Sequence, residues 1–130
     1  MKTEFLHKLF DWLEFEKFVK SLYNDNQNII VEHNVTETGK SGAKRQIDVK
    51  VTHKVAFHKY TTIIECKRWN KPIDRATIDV LAATIEDLNA SKGVLFTTKG
   101  FEKGAKSFAK AKNIDLFIVR ELYDEEWGKP

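Results

Sequence analysis

The spacing of apolar residues changes period several times along the chain, and each change marks an element. From Trp12 to Tyr23 the apolar Phe15, Phe18, Val19 and Leu22 recur at helical intervals. Asp11 and Glu14 resemble a capping box that starts this helix, with a shorter helical turn or helix over Phe5 to Phe10 before it. Ile29 to Val35 reads as a strand after the Asn24-Asp25-Asn26 turn signal, and Thr38 to Lys44 as a loop punctuated by Gly39 and Gly42. Two strand-like runs follow, Gln46 to His53 and Tyr60 to Lys67. Asp74 then caps a helix reaching about Leu88, whose apolar face holds Ile78, Leu81, Ala82, Ile85 and Leu88. Gly93 to Thr98 is a short continuous apolar strand, Phe101 to Lys112 a helix with Ala105, Phe108 and Ala109 inward, and Leu116 to Val119 a last strand. The order α-β-β-β-α-β-α-β implies an α/β fold, a mixed sheet flanked by helices.

If the two central runs form a hairpin turning near Ala56 and Phe57, Val49 stands opposite Ile64, Val51 opposite Thr62, and Asp48 opposite Glu65. Alternation puts Glu65 and Lys67 on one face and Cys66 on the other. One hairpin face is then mostly apolar, while the other gathers two carboxylates and an ammonium. Buried charge is costly unless paired or metal-bound. Two readings fit this group: a divalent-cation site beside a lysine that steers a water, and a structural cluster of ion pairs. The Glu-x-Lys spacing alone does not choose between them.

The 130 residues, 42% hydrophobic and 32% charged, suit one globular domain spanning residues 1–130. No apolar run approaches the ~18 residues of a membrane span. Glu4 and Asp11 interrupt the N-terminal apolar residues, and the single Cys66 excludes an internal disulfide, so a cytoplasmic location is expected. The net charge of +3 is unevenly spread: Lys40 to Arg75 holds ten Lys or Arg against three acids, +7, leaving −4 elsewhere. A basic segment around the carboxylates suits a phosphate backbone, although a solvated lysine-rich surface has the same composition. The four histidines have no paired metal-ligand spacing, and there is neither a zinc finger nor a Gly-x-x-x-x-Gly-Lys loop.

Four segments carry a family resemblance: Phe15-Glu16, Arg45-Gln46-Ile47-Asp48-Val49, Ile63-Ile64-Glu65-Cys66-Lys67-Arg68, and Lys92 to Thr98 running into Gly100-Phe101. In this order they resemble the Mrr-like branch of the restriction-endonuclease-like nucleases, the PD-(D/E)xK superfamily, over about Trp12 to Leu122. Ile47 stands where the superfamily name has proline. Glu65 stands where the Mrr-like branch often has glutamine, and is the more usual acid of the wider superfamily.

The resemblance implies an αβββαβ core with an additional α-β unit, and a metal-dependent endonuclease acting on double-stranded DNA. Asp48 and Glu65, with the backbone carbonyl of Cys66, would hold Mg²⁺, for which Mn²⁺ can substitute, and Lys67 would assist the attack. Glu16 corresponds to a helix acid that approaches the metal in many members; a solvated partner for Lys20 at i,i+4 accounts for it equally. Lys44, Arg45 and Arg68 read as phosphate contacts, and Gln46 as a neighbour of Asp48 on the site face. Double-strand cleavage implies a homodimer or two successive nicks, and target choice a separate specificity domain or subunit. A junction-resolving nuclease and a non-catalytic DNA-binding module with the same fold remain alternatives.

Overall fold

The computed structural model describes Ser21, residues 28–67 and residues 71–118. Five strands form one sheet in the order β1-β2-β3-β4-β5: β1 (Ile29–Thr38), β2 (Lys44–Val55), β3 (His58–Lys67), β4 (Lys92–Thr97) and β5 (Ile114–Ile118). Helix α1 (Arg75–Asp87) joins β3 to β4, and α2 (Lys103–Ala111) joins β4 to β5. The first three strands are antiparallel, while β3, β4 and β5 run parallel, so the sheet is mixed. The predicted helix Trp12 to Tyr23, with its Glu16, lies outside the described residues apart from Ser21. No helix among the described residues is long and apolar enough to cross a membrane.

The central hairpin has the register expected from its sequence. Val49 pairs with Ile64, Val51 with Thr62, and Val55 with His58 around the Ala56-Phe57 turn. Element boundaries differ in places. β1 continues to Thr38 and β2 begins at Lys44, because the intervening loop needs only residues 39–43. β5 begins two residues earlier than its continuous apolar run suggests. Ile114 is buried beside Gly93, whereas the exposed Asp115 interrupts the run without ending the strand.

Right-handed crossovers between adjacent parallel strands place α1 and α2 on the same sheet face. Ile78 and Leu81 of α1, Ala105 and Ala109 of α2, and Ile47, Ile63, Leu95 and Ile114 of the sheet form one core there. Asp74 starts α1 by accepting hydrogen bonds from the Thr77 amide (3.0 Å) and hydroxyl (2.8 Å). The helix closes on Asn89, a left-handed residue (φ 55°), with Ala90 N–H donating to Ile85 C=O and Asn89 N–H to Glu86 C=O. Asparagine here does the work usually left to glycine. Asn113 (φ 59°) follows α2 in the same conformation. Gly93 lets α1 approach β4 closely, since a Cβ there would overlap the Ile85 side chain.

One irregularity departs from strict alternation. The β1–β2 ladder pairs His33 with Val49 and Val35 with Ile47, but skips Asn34 and Asp48, and Asn34 is left-handed (φ 55°). Val49 and Val51 are buried outside the α1 core, whereas Ile47 belongs to it and Val35 packs against it. The ribbon therefore changes face at Asn34 and Asp48, as a bulge-like distortion allows. This corrects the simple division into an apolar and a charged hairpin face. Ile63 and Ile47 are core residues on the same side of the sheet as Glu65, and the charges occupy only the end of that face.

The loop at residues 39–43 is tied to the end of α1. Asp87, itself buried, accepts from Ser41 N–H (2.8 Å), Ser41 Oγ (2.8 Å) and Arg45 Nε (3.0 Å), and its backbone carbonyl accepts from Lys40 N–H. The Ser41 hydroxyl and amide, together with Arg45, hold its carboxyl below the usual aspartate range. A Cβ at Gly39 would overlap this carboxylate. Gly39→Ala should therefore lower stability by about 1–3 kcal/mol, the usual cost of overpacking, in chemical denaturation. Wild-type stability in that variant would mean that the loop is not held against Asp87.

Candidate active site

The kink at Asn34 and Asp48 determines what Asp48 reaches. Released from the β1 ladder, Asp48 turns toward β3, where its Oδ2 accepts from the Cys66 N–H at 2.9 Å. One step beyond Val49 and Ile64, the last β2–β3 pair, the same register brings Asp48 level with Glu65. Lys67 lies two residues further along that face, its Nζ 3.4 Å from Glu65 Oε2. The three side chains thus meet at one end of the sheet. Glu65 and Lys67 are mostly shielded there, with side-chain exposures of 22% and 30%.

The electrostatics follow from that crowding. Burial raises the Glu65 pKa to about 7; the adjacent Asp48 charge and a hydrogen bond to Asp48 add to the rise, and Lys67 opposes it. Glu65 therefore keeps its proton up to near neutrality. Cys66, on the alternate side of β3, has its thiol pushed up by burial and by the charges of Asp48 and Glu65. It is held as a neutral thiol and is poorly suited to nucleophilic work.

A divalent cation fits this donor set. Glu65, reluctant to ionise beside Asp48, would ionise beside a hard cation, and carboxylate oxygens suit Mg²⁺. Thr97 of β4 pairs with Lys67 in the parallel ladder, and its buried hydroxyl has no hydrogen-bond partner among the described residues, so polar capacity lies beside Lys67. Among the described residues no group of three or more His, Cys, Asp or Glu comes together as a ligand set. Asp48 and Glu65 therefore make a two-carboxylate site, and the candidate third acid, Glu16, lies outside the described residues.

The basic and polar candidates separate. Arg45 is committed within the fold, donating through Nε to Asp87 and through Nη1 to Thr84 Oγ1 at 3.5 Å. A phosphate would have to compete with those bonds. Gln46 is exposed, two residues before Asp48 on β2, and its bonds run to β1. Its amide donates to Asn34 Oδ1 and its carbonyl accepts from Thr36, so it braces the kink from the β1 side. Lys44 is exposed at the start of β2, and Arg68 lies outside the described residues. Asn34 and Asp87, which position the site, carry no chemical motif. The only sequence signals were an Asn in mid-strand and an acid where the last turn of a helix normally favours cations.

Glu65 gives a pH dependence of defined sign. Its folded pKa exceeds its ordinary value of 4.5, so the folded state binds more protons between about pH 4.5 and pH 7. In EDTA, wild type should lose up to about 3 kcal/mol of stability as pH rises through that window, at about 1.36 kcal/mol per pKa unit. Glu65→Gln should flatten this segment of the profile. Identical pH profiles for the two proteins, by thermal or urea unfolding, would exclude the raised Glu65 pKa.

Comparison with known proteins agrees with this architecture. The structure is similar to protein VC1899 from Vibrio cholerae (TM-score 0.67, 19% identity, 87% of this chain and 30% of that one). It is also similar to AF1548, a protein of unknown function (TM-score 0.59, 23% identity, 76% and 53%). A third similar structure is AspBHI, a DNA modification-dependent restriction endonuclease (TM-score 0.51, 15% identity, 81% and 28%). At these identities the likeness concerns the fold, and the chain spans only about half, or less, of each structure's length. A search of curated proteins finds no match. The Mrr_cat family model, described as "Restriction endonuclease", matches residues 7–124. That match covers nearly the whole chain and includes every residue of the carboxylate site, and the chain belongs to this restriction endonuclease family.

Proposed function

We propose that this domain is a Mg²⁺-dependent endonuclease that hydrolyses phosphodiester bonds of double-stranded DNA. The observation that carries the reading is the meeting of Asp48 of β2 with Glu65 and Lys67 at the end of β3, with the Glu65 pKa raised to about 7. Family membership favours nuclease chemistry for that arrangement over a structural ion-pair cluster. A structural cluster would also not be expected to leave one of its carboxyls so reluctant to ionise.

Asp48 and Glu65, with the Cys66 carbonyl, would hold the ion. When bound, Mg²⁺ supplies Lewis-acid stabilisation of the phosphate charge and lowers the pKa of an attacking water. Asp48 is oriented for this by its bond from the Cys66 amide. Lys67, drawn toward Glu65 in the metal-free protein, orients the water or donates to a phosphate oxygen as negative charge develops. In-line attack leaves 5′-phosphate and 3′-hydroxyl ends. Lys44 and Arg68 supplement the site with backbone contacts, while Arg45 acts chiefly through the fold. One site cuts one strand, so double-strand breaks call for a homodimer or successive nicks. Two of the structural neighbours, VC1899 and AspBHI, are nearly three times longer, which supports assigning target choice to a separate domain or subunit. Modification dependence, named for one neighbour, belongs to the same open choice.

Purified protein should nick supercoiled plasmid in Mg²⁺ or Mn²⁺ and not in EDTA, with methylated and unmethylated plasmids run in parallel. Equal rates in EDTA would overturn the metal mechanism. Asp48→Ala and Glu65→Ala should each lower the rate by at least about 100-fold while leaving DNA binding intact or tighter. Lys67→Ala should also inactivate the protein, yet leave metal affinity undiminished because an ammonium is not a ligand. All three should melt near or above wild type without metal. If all three melt well below wild type and calorimetry detects no Mg²⁺ binding to the parent, the cluster is architectural.

A further inference from the structure

The β2–β3 hairpin ends in a group of residues that neither the core nor the carboxylate site uses. Its turn is only Ala56-Phe57, and Ala56 takes a left-handed φ of 54°, a conformation that Asn, Asp or Gly would adopt with less strain. Phe57 is fully exposed at the tip. Lys54 and Lys59 stand directly opposite each other, and neither forms an ion pair with a described residue. Like charges in that position destabilise a hairpin on its own. On the other hairpin face Val55 pairs with His58 and His53 with Tyr60; Val55 and Tyr60 are each 47% exposed. From Thr52 to Ile64 the sequence contains no Asp or Glu.

Strain, charge repulsion and an exposed aromatic coincide at one tip, and each is relieved by the same kind of partner. An anionic surface with an apolar interior neutralises the lysine pair and covers the phenyl ring. A second copy of the hairpin would bring like charges together instead. We propose that this hairpin is a second DNA-contacting element, with Lys54 and Lys59 on backbone phosphates and Phe57 entering a groove. A two-stranded ribbon matches the width of the major groove, and an apolar side chain can pack on a thymine methyl there. The proposal rests on duplex DNA being the substrate, and adds where, beyond the cleaved phosphate, the duplex is held. Val55 lies seven residues along β2 from Asp48, roughly 23 Å at about 3.3 Å per residue, or about seven base pairs. The contact therefore falls to one side of the scissile bond and needs a duplex long enough to reach it.

The test compares wild type, the double variant Lys54→Gln/Lys59→Gln and the single variant Phe57→Ser. Each is titrated with labelled duplexes of about 10 and 30 base pairs at several salt concentrations, in Ca²⁺ to suppress cleavage, alongside plasmid nicking in Mg²⁺. On the long duplex the double variant should bind about tenfold more weakly, and its log K against log salt slope should shrink by about two. Phe57→Ser should weaken binding severalfold with the slope unchanged. On the short duplex all three should agree, and neither variant should melt below wild type, because the positions are exposed and removing the lysine pair relieves repulsion. If wild type binds and nicks DNA while both variants match it on the long duplex in affinity and slope, the hairpin proposal is overturned and the nuclease reading stands. If Phe57→Ser instead turns a dimer into a monomer without changing DNA affinity, the tip is a self-association surface and the proposal is likewise overturned. If wild type binds neither duplex and nicks no plasmid, both readings fall together.

Discussion

Glu65, shielded from water and within hydrogen-bonding reach of Asp48, cannot ionise freely, and the structure is arranged around that conflict. Glu65 is pushed up to about pH 7 by burial and by Asp48, with only Lys67 set against the rise. A sheet built for stability alone would separate the two acids or pair each with a cation. Here the hairpin register brings them level and the Cys66 amide fixes Asp48 in place. The cost is borne by a sheet whose other positions are conventionally apolar, with Ile47, Val49, Val51, Ile63 and Leu95 all buried. A cation that converts the repulsion into ligation turns this arrangement from a liability into a working site.

The site depends on a deformation some distance from its chemistry. Were β1 and β2 to pair without interruption, Asp48 would lie within the ladder and Ile47 would face away from α1. The left-handed Asn34, steadied by Gln46, interrupts the ladder at that point. The Asp87 clamp on Ser41 and Arg45 then holds the rest of the β1–β2 ribbon against α1. Sheet distortions beside active sites commonly re-aim a side chain in this way. Asn34 and Asp87 are therefore positioning residues, although neither touches the reacting groups.

Much of the fold was legible in the sequence because its determinants are local. Alternation and the two-residue turn defined the hairpin register, and Asp74 with the Ile78 and Leu81 spacing defined α1. The acids of the site were legible as a strand pair for the same reason. What escaped was non-local. Nothing near Asn34 announces a change of face, and an arginine next to the site looks like a phosphate contact until Asp87, 42 residues away, is seen to hold it. Ile114 escaped because a search for continuous apolar runs passes over a strand that alternates at Asp115. Asn89 and Asn113 follow their helices in the left-handed conformation without the glycine that usually marks it in a sequence.

The central claim is that Glu65, beside Asp48, holds a proton that a divalent cation would displace, and proton-linked calorimetry measures it directly. Mg²⁺ or Mn²⁺ is titrated into the metal-free protein at pH 6, 7.5 and 9, in buffers of differing ionisation enthalpy, and the protons released per ion are read from the buffer dependence. Release should approach one proton at pH 6, fall to a fraction near pH 7.5 and vanish by pH 9 for wild type. Glu65→Gln should release none at any pH. Metal binding with no proton release at pH 6, or no metal binding at all, would contradict the account.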